Sequence, residues 1–545
     1  GDIRFTALRS ATAASLQAGQ QISGGAIGGG DITLNAGDTL GLSGALNGST
    51  ISLQASNAVS LVDANANAGD LSITGASIRS AGALSATGAA TLRSTAGDID
   101  SGNMTASSIR LDASNAVNVA GARLEASGST LDLDARAGNA DLNGATLLAA
   151  STITATAGTS GGAAFDLILS DASLTAPTID LQATGQVVNA GSVIRGNNYS
   201  VNAQLISMRD TDVDVSGQAN YTATNGIDLS GARIRSAGLT LNAGSALNLS
   251  GADVTSSQAT TASGSRLDLS DLLLNAGTLT LSSTRDLTAS GAQLRSAGAI
   301  SIVSGGQLDL SGAVWSGSNA VLQSSGNMSL GSAELASLDA RSSAGDIRVN
   351  ELVSSGQILL RASGALEATQ INAQSLDLQA SSADLSLVTS DGSSALQFSG
   401  DASISALQAS QGATISSGGN LSIGSLQGAG NSNLSAGNNL VASSLRLGAA
   451  NLTASAGNQL RIGAESGGVI LQAGNADLSG TNAILLQNGS ISVNQLLARS
   501  TGIIALDSVQ LAASQSLIQA GLSSLTGGNT KAGMTIDNLC PFPGD

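Results

Sequence analysis

The stretch IDLSGARIRSAGLTLNAGSA, residues Ile227–Ala246, is followed directly by LNLSGADVTSSQATTASGSR and then by LDLSDLLLNAGTLTLSSTRD. The three stretches repeat one spacing of apolar residues and glycines. The apolar residues that begin successive repeats lie 20 or 21 residues apart, at Ile227, Leu247, Leu267, Leu287, Leu308 and Met328. Steps of nearly constant length are typical of a solenoid, in which each repeat stacks on the one before it.

Apolar and polar residues alternate within one repeat, so the repeat is predicted to form β-strands and not a helix. The glycines fall between the alternating groups, where turns are expected. Three short strands with glycine-containing turns make one triangular coil, and the next coil lies about 4.8 Å above it. The sequence therefore predicts an all-β fold, a parallel β-helix with about 20 residues and three short strands per coil. Leu229 and Ile234 are predicted to point inward and Asp228 outward.

The position after each repeat marker alternates between acidic and neutral residues: Asp228, Asn248, Asp268, Thr288, Asp309 and Ser329. Like charges on directly opposed strand positions are destabilising. Alternation doubles their separation to about 9.6 Å, close to the Debye length at physiological salt. The pattern favours direct stacking of one coil on the next.

Composition excludes several classes of function. The formal net charge is −17 and Lys531 is the only lysine, so a nucleic-acid partner is not expected. The absence of histidine removes the Ser-His-Asp and Cys-His arrangements and the commonest metal ligand. No apolar run approaches the roughly 18 residues that indicate a membrane span.

The repeats predict one long domain, residues 1–525, with about 27 coils and a length of roughly 130 Å. The repeat pattern is less regular at about residues 191–226, and we interpret this region as an insertion.

Residues 526–545 contain Pro541, Pro543 and the single cysteine, Cys540. Because proline cannot donate a strand hydrogen bond, this segment is predicted to be a C-terminal cap or linker. GDIR opens the sequence and recurs at 345–348, so we expect a piece of a longer protein.

Both tyrosines of the chain fall in the irregular region. Tyr199, Tyr221, Arg195, Asn197 and Asn198 form the candidate ligand-binding set, because aromatic rings and amide donors suit the apolar face and hydroxyls of a sugar. The alternative is that the tyrosines fill a widened coil.

Trp315 aligns with an inward position of the repeat, which favours core filling over ligand binding.

The segment RDTDVDV, residues 209–215, offers the densest acidic cluster. Its carboxylates, Asp210, Asp212 and Asp214, would project from one strand face roughly 7 Å apart. Three interpretations are open: a solvated acidic face neutralised by Arg209, a calcium site completed by loop carbonyls, or a catalytic cluster. No other metal and no other cofactor is predicted.

The coils, of the form LxLSGAxΦxSAGxLxLxAG, where Φ is an apolar residue, resemble the haemagglutinin repeats of filamentous-haemagglutinin-like exoproteins. The resemblance covers essentially the whole chain, and it implies a right-handed parallel β-helix exported by two-partner secretion. It further implies a secreted protein at the outer face of the bacterial outer membrane. An outer-membrane transporter would be its partner during export. A glycan, a matrix polysaccharide or a cell-surface receptor would be its later ligand.

Three functions follow as expectations. The first is a structural, adhesive rod without enzymatic activity. The second is the stalk of a contact-dependent growth inhibition protein that carries a toxin. The third is a polysaccharide-cleaving β-helix, which would need clustered carboxylates with a basic partner in a groove. The Asn-Pro-Asn-Gly motif typical of the secretion domain is not found in this sequence.

Overall fold

The computed structural model describes residues 1–160, 162–463, 468–526, 530–531 and 534–538. The chain divides into unit 1, residues 1–282, and unit 2, from residue 283 onward. Both units are built of strands, and no residue among those described is helical. A helical segment of the length and hydrophobicity of a membrane span is likewise not found in that part of the chain.

Most strands of unit 1 are short, and they follow one another closely. From the start they are Ile3–Arg9, Ala13–Ala18, Ile22–Gly28, Asp31–Ala36, Leu40–Ala55, Ala58–Gly75, Ser77–Ser80, Leu84–Ala86, Ala89–Ser94, Ile99–Ser101 and Met104–Ala106. They continue with Ser108–Ala113, Val117–Asn118, Arg123–Ala126, Thr130–Ala135, Ala140–Asp141, Thr146–Ala149, Thr152–Ala157, Leu167–Ile168, Ser173–Ala183 and Gln186–Ala190. The last are Val193–Ala203, Leu205–Arg209, Asp212–Val215, Gln218–Ala223, Ile227–Asp228, Arg233–Ser236, Gly238–Ala243, Ala246–Asn248, Asp253–Gly264, Arg266–Asp268 and Leu273–Ser283.

Unit 2 continues in the same way. Its first strands are Leu287–Thr288, Gln293–Ser296, Ile300–Ser304, Leu308–Ser324, Met328–Ser342, Ile347–Ser354, Gln357–Ala362, Ala365–Ala373, Ser375–Ala380, Ser382–Ser390 and Ser394–Phe398. The remainder are Ala402–Ala409, Ala413–Ser417, Leu421–Gly428, Ser432–Ala436, Leu440–Arg446, Leu452–Ala456, Gln459–Gly463, Val469–Gly480, Ala483–Thr526, Thr530–Lys531 and Met534–Asn538.

Strands pair in parallel with the strand one coil later, which confirms the predicted parallel β-helix. Ile227 pairs with Leu247, and Leu247 pairs with Leu267. Asp228, Asn248 and Asp268 consequently form one column, as the alternation of acidic and neutral residues predicts. The same column also alternates earlier in the chain, at Asp100, Asn118 and Asp141, the last of which lies four coils before Asp228.

The core is aliphatic and lies inside the coils. Leu229 and Ile234 are 1% and 0% exposed, so both point inward as predicted. Trp315 pairs with Leu294 in unit 2 and is buried, which confirms that it fills the core.

The segment LSGA forms a corner after the first strand of many coils. Asp228 Oδ1 accepts a hydrogen bond from Ser230 N at 3.1 Å, and Ala232 N donates to Leu229 O at 3.0 Å. Gly231 has a φ of 68°, a region that glycine enters without steric cost. Asp210 and Asp271 adopt the same conformation, with φ of 52° and 56°, because a short polar side chain tolerates it better than most others.

The insertion predicted at about 191–226 is wrong. Val187 pairs with Ile206 and Ile206 with Ile227, so the coils there keep their ordinary length. The unusual residues of this region replace others without lengthening the chain. The longer coil lies earlier, where Ala140 pairs with Leu167, 27 residues later.

In unit 2 the corner shortens. Leu310 pairs with Leu330, whereas Val314 pairs with Ser332, so three residues between Leu310 and Val314 lie opposite one, Gly331. The following coils keep the one-residue corner, with Asn350, Thr369 and Ser386 in that place.

Near the C-terminus, Thr530–Lys531 and Met534–Asn538 pair in parallel with the strand one coil earlier. The remainder of the predicted cap or linker at 526–545, including Cys540, Pro541 and Pro543, lies outside the described residues.

Candidate functional site

The two tyrosines of the predicted binding set lie in the core of unit 1. Tyr199 and Tyr221 are 1% and 0% exposed, and their rings meet edge to face. Tyr199 pairs with Ile179 and Tyr221 with Val201, so each replaces an inward aliphatic residue. The rings cannot contact a ligand at the surface, and the ligand-binding interpretation of the tyrosines is wrong. They fill the core, which was the alternative.

Burial also changes the acidity of the two phenols. Desolvation raises the pKa of Tyr221 far above its ordinary value. The pKa of Tyr199 is also raised, first by desolvation and then by the neighbouring Tyr221. Tyr199 Oη lies 3.4 Å from Met208 Sδ, while Tyr221 Oη has no hydrogen-bond partner among the described residues. Neither phenol can serve as a base at ordinary pH.

The three polar members of the predicted set lie at the surface of unit 1. Asn197 Oδ1 accepts from Ser216 Oγ at 3.1 Å, and Asn198 Oδ1 accepts from Gln218 N at 3.1 Å. Arg195 pairs with carboxylates of the next coil. These side chains join neighbouring coils, and the structure does not bring them together with the tyrosine rings into one site.

The acidic triplet is divided between a corner and a strand. Asp210 lies in the corner, whereas Asp212 and Asp214 are on the strand that follows. Arg195 lies 3.6 Å from Asp212 and 3.9 Å from Asp214. The described residues contain no cluster of three acidic or other ligating side chains that could hold a metal, so the calcium interpretation has no structural support.

The predicted neutralisation of this triplet by Arg209 is also wrong. Arg209 pairs with Asp228 of the next coil, with Nη2 2.6 Å from Oδ2. The reason is the corner, which places Arg209 and the two strand carboxylates on different faces of the coil.

A balanced charge cluster on the outer face of unit 1 was not predicted. Arg136 Nη2 donates to Asp112 Oδ2 at 2.7 Å, and Arg110 lies 3.3 Å from Asp132. Asp112 is only 5% exposed, and Thr159 of the longer coil donates to the adjacent Asp134 at 3.0 Å. Burial raises the pKa of Asp132, partly offset by Arg110. Three arginines, counting Arg93, balance three carboxylates, so the cluster is best explained as a structural network.

A groove of about 450 Å³ lies on unit 2 where the corner shortens. We call it the Glu367 groove. It is lined by Ser311, Gly312, Ser329, Leu330, Arg348, Val349, Asn350, Glu367, Ala368, Thr369, Asp384 and Ser386. The LSGA corner at Ser311 and Gly312 stands at one end, and the one-residue corners form the recess.

Charged side chains from successive coils line up in the Glu367 groove. Arg348 pairs with Glu367 and Glu367 with Asp384 in strand register. Arg348 Nε donates to Glu367 Oε2 at 2.9 Å, and its Nη2 lies 4.0 Å from Asp346. Asp384 has no ion pair or side-chain hydrogen bond among the described residues. The sequence signal is the step of 19 residues from Met328 to Ile347, which shows that this coil is shorter than the coil before it.

No protein-family model, curated protein or solved structure matches this chain. The geometry defines the class of fold to which the chain belongs, the parallel β-solenoid.

Proposed function

We propose that this chain is a structural, adhesive rod segment of a large secreted bacterial surface exoprotein, which attaches to cells, glycans or biofilm matrix and has no enzymatic activity. The observation that supports this proposal most strongly is a face of unit 1 on which neutral hydrogen-bonding side chains repeat from coil to coil. One column is Ser200, Asn220, Thr240 and Thr261, and its neighbour is Asn202, Thr222, Asn242 and Ser263.

These columns suit a ligand that is itself repetitive. Strand spacing places one row about 4.8 Å from the next, and the two columns lie about 7 Å apart within a coil. Asn220, Thr222, Thr240 and Asn242 are exposed. Hydroxyl and amide groups donate and accept hydrogen bonds as sugar hydroxyls do. Many weak contacts held by one rigid scaffold give avidity that no single contact provides.

Surface binding tests the proposal. The purified chain, immobilised, should retain bacterial cells or isolated matrix polysaccharide, and a triple variant Asn220→Ala, Thr222→Ala and Thr240→Ala should retain less. The matched control, Arg233→Ala with Asp253→Ala, removes an exposed ion pair from another strand row of unit 1 and should leave retention unchanged. Failure of the wild-type chain to bind any such surface would contradict adhesion and favour the stalk interpretation.

A further inference from the structure

The Glu367 groove combines a defined recess with an excess of negative charge. Two carboxylates, Glu367 and Asp384, and one cation, Arg348, are the charged residues that line it. Arg348 is paired with Glu367, and Asp346 beside the groove is also within 4.0 Å of it. The side chains of Arg348 and Glu367 are 55% and 49% exposed, so their hydrogen-bonding groups remain accessible to a ligand. Anionic ligands would be repelled from the groove, and cationic ones attracted.

The remaining groups in the groove are hydroxyls and amides. Thr369 and Ser386 occupy corner positions, are exposed, and make no side-chain hydrogen bond within the described part of the chain. Asn350 Nδ2 donates to Ser332 Oγ at 3.4 Å, which leaves its carbonyl oxygen available. The apolar lining residues Leu330, Val349 and Ala368 are buried. No large apolar side chain is exposed among the lining residues of the groove, whereas extended peptides dock through pockets for alternate side chains.

We propose that the Glu367 groove binds a hexosamine polysaccharide in which part of the amino groups are free and positively charged. The carboxylates of Glu367 and Asp384 accept hydrogen bonds from the sugar ammonium groups and hydroxyls. Thr369, Ser386 and Asn350 contact further hydroxyls along the row of coils. The inference rests on the proposed adhesive function, because it names the ligand class and the site that one part of the surface would recognise.

Direct binding of chitosan oligosaccharides, which are partly N-acetylated glucosamine chains, tests the inference by calorimetry. The double variant Glu367→Gln and Asp384→Asn should bind at least about tenfold more weakly, because charge-assisted hydrogen bonds become neutral ones. Binding to the wild type should weaken as salt is raised. The control Glu125→Gln breaks a comparable exposed ion pair, Arg123–Glu125 at 3.0 Å, and should leave the affinity unchanged.

Competing ligands make the test decisive. Neutral dextran and anionic polygalacturonate should bind at least about tenfold more weakly than chitosan oligosaccharides. Equal binding of either polymer, equal binding of a lysine-rich peptide, or unchanged affinity of the double variant would overturn the proposal. Unfolding of the double variant by denaturant should match the wild type, and Glu367→Asp with Asp384→Glu, which keeps both charges, should restore binding if lost charge is the cause.

Attachment of the whole chain to matrix is a separate readout. If the wild type adheres to matrix while chitosan binding fails, the groove proposal is wrong and the adhesive function stands. If the wild type adheres to no surface, the adhesive function fails whatever the groove binds.

Discussion

The rings of Tyr199 and Tyr221 meet in the core of unit 1 with their centroids 5.4 Å apart and their planes at 78°. Edge-to-face aromatic pairs contribute about 0.5–1.5 kcal/mol beyond the burial of their area. Two residues that are unusual in this sequence thus stabilise two adjacent coils from within.

The buried tyrosines predict a loss of stability at alkaline pH. Their pKa values in the folded chain are raised, so above about pH 10 an unfolded chain ionises them while the folded chain does not. The stability that the neutral phenols contribute is complete below about pH 10 and falls above it, by about 1.4 kcal/mol per pH unit for each tyrosine. Because the chain has only these two tyrosines, phenolate absorbance reports on them alone. It should appear only when the chain unfolds; titration of the folded chain near pH 10 would show that the rings are exposed.

Adjacent residues Asp228 and Leu229 should respond very differently to substitution. Leu229→Asp buries an unpaired carboxylate and should cost several kcal/mol in the free energy of unfolding. Asp228→Asn should cost at most about 1 kcal/mol, because an asparagine accepts the same corner hydrogen bond and only the exposed ion pair with Arg209 is weakened. Asn248 shows this, since its Oδ1 accepts from Ser250 N at 2.9 Å. Denaturant unfolding of both variants measures the difference, and equal costs would show that the facing of this strand is wrong.

The pH dependence of the Asp228 contribution has a defined sign. Burial alone would raise the pKa of Asp228, but hydrogen bonds from Ser230 and the ion pair with Arg209 outweigh it and lower the pKa. Its stabilising contribution is therefore present above the unfolded value near 3.9 and is lost as pH falls through the lower folded value. The stability difference between wild type and Asp228→Asn should vanish in acid. A difference that grew as pH fell would contradict the lowered pKa.

Gly331 should be indispensable where the corner shortens. A Cβ there would collide with the backbone carbonyl oxygens of Ala313 and Leu310, which cannot move without shifting the corner. Gly331→Ala should destabilise unit 2 by roughly 1–3 kcal/mol, as overpacking does. Gly41→Ala is the control, because a Cβ at Gly41 meets nothing within 4 Å. It should be neutral or slightly stabilising. Comparable losses in both variants would contradict the close approach at Gly331.

An amide ladder in unit 2 gives a further prediction. Asn439 Nδ2 donates to Asn420 Oδ1 at 2.9 Å, and Asn458 Nδ2 donates to Asn439 Oδ1 at 2.8 Å. Asn439→Ala removes both bonds and should cost about 1–3 kcal/mol. Asn433→Ala, at an exposed position, should cost less than about 0.5 kcal/mol. Thermal unfolding of the two variants distinguishes them, and a silent Asn439→Ala would mean that the ladder contributes nothing.

The repeat period and the alternation of residues were sufficient to predict the strands, their parallel stacking and the facing of residues such as Leu229 and Ile234. These features follow from local patterns that every coil repeats. The prediction of a ligand site at the tyrosines was wrong because it relied on their rarity. Tyr221 lies one repeat of 20 residues before Leu241, an inward position, so the spacing already indicated that Tyr221 points inward. Phase within the repeat was the better guide than the identity of the residue.

The charged clusters could not be predicted from residues that are adjacent in sequence. Arg136 and Asp112 are 24 residues apart in sequence, and Arg348 and Glu367 are 19 apart, so each contact depends on coil length. The Glu367 groove arises because the coils from Met328 onward have fewer residues at one corner, while their strands keep their length. The step of 19 residues from Met328 to Ile347 shows that a coil is shorter, but it does not show where in the coil the residues are missing.

The most direct measurement of the adhesive account is incubation of the purified chain with matrix polysaccharide, followed by assay of both the bound polymer and the polymer released from it. The account predicts saturable binding and release of polymer of unchanged length, with no new reducing ends. Shortened polymer with new chain ends would contradict it and identify a polysaccharide-cleaving enzyme.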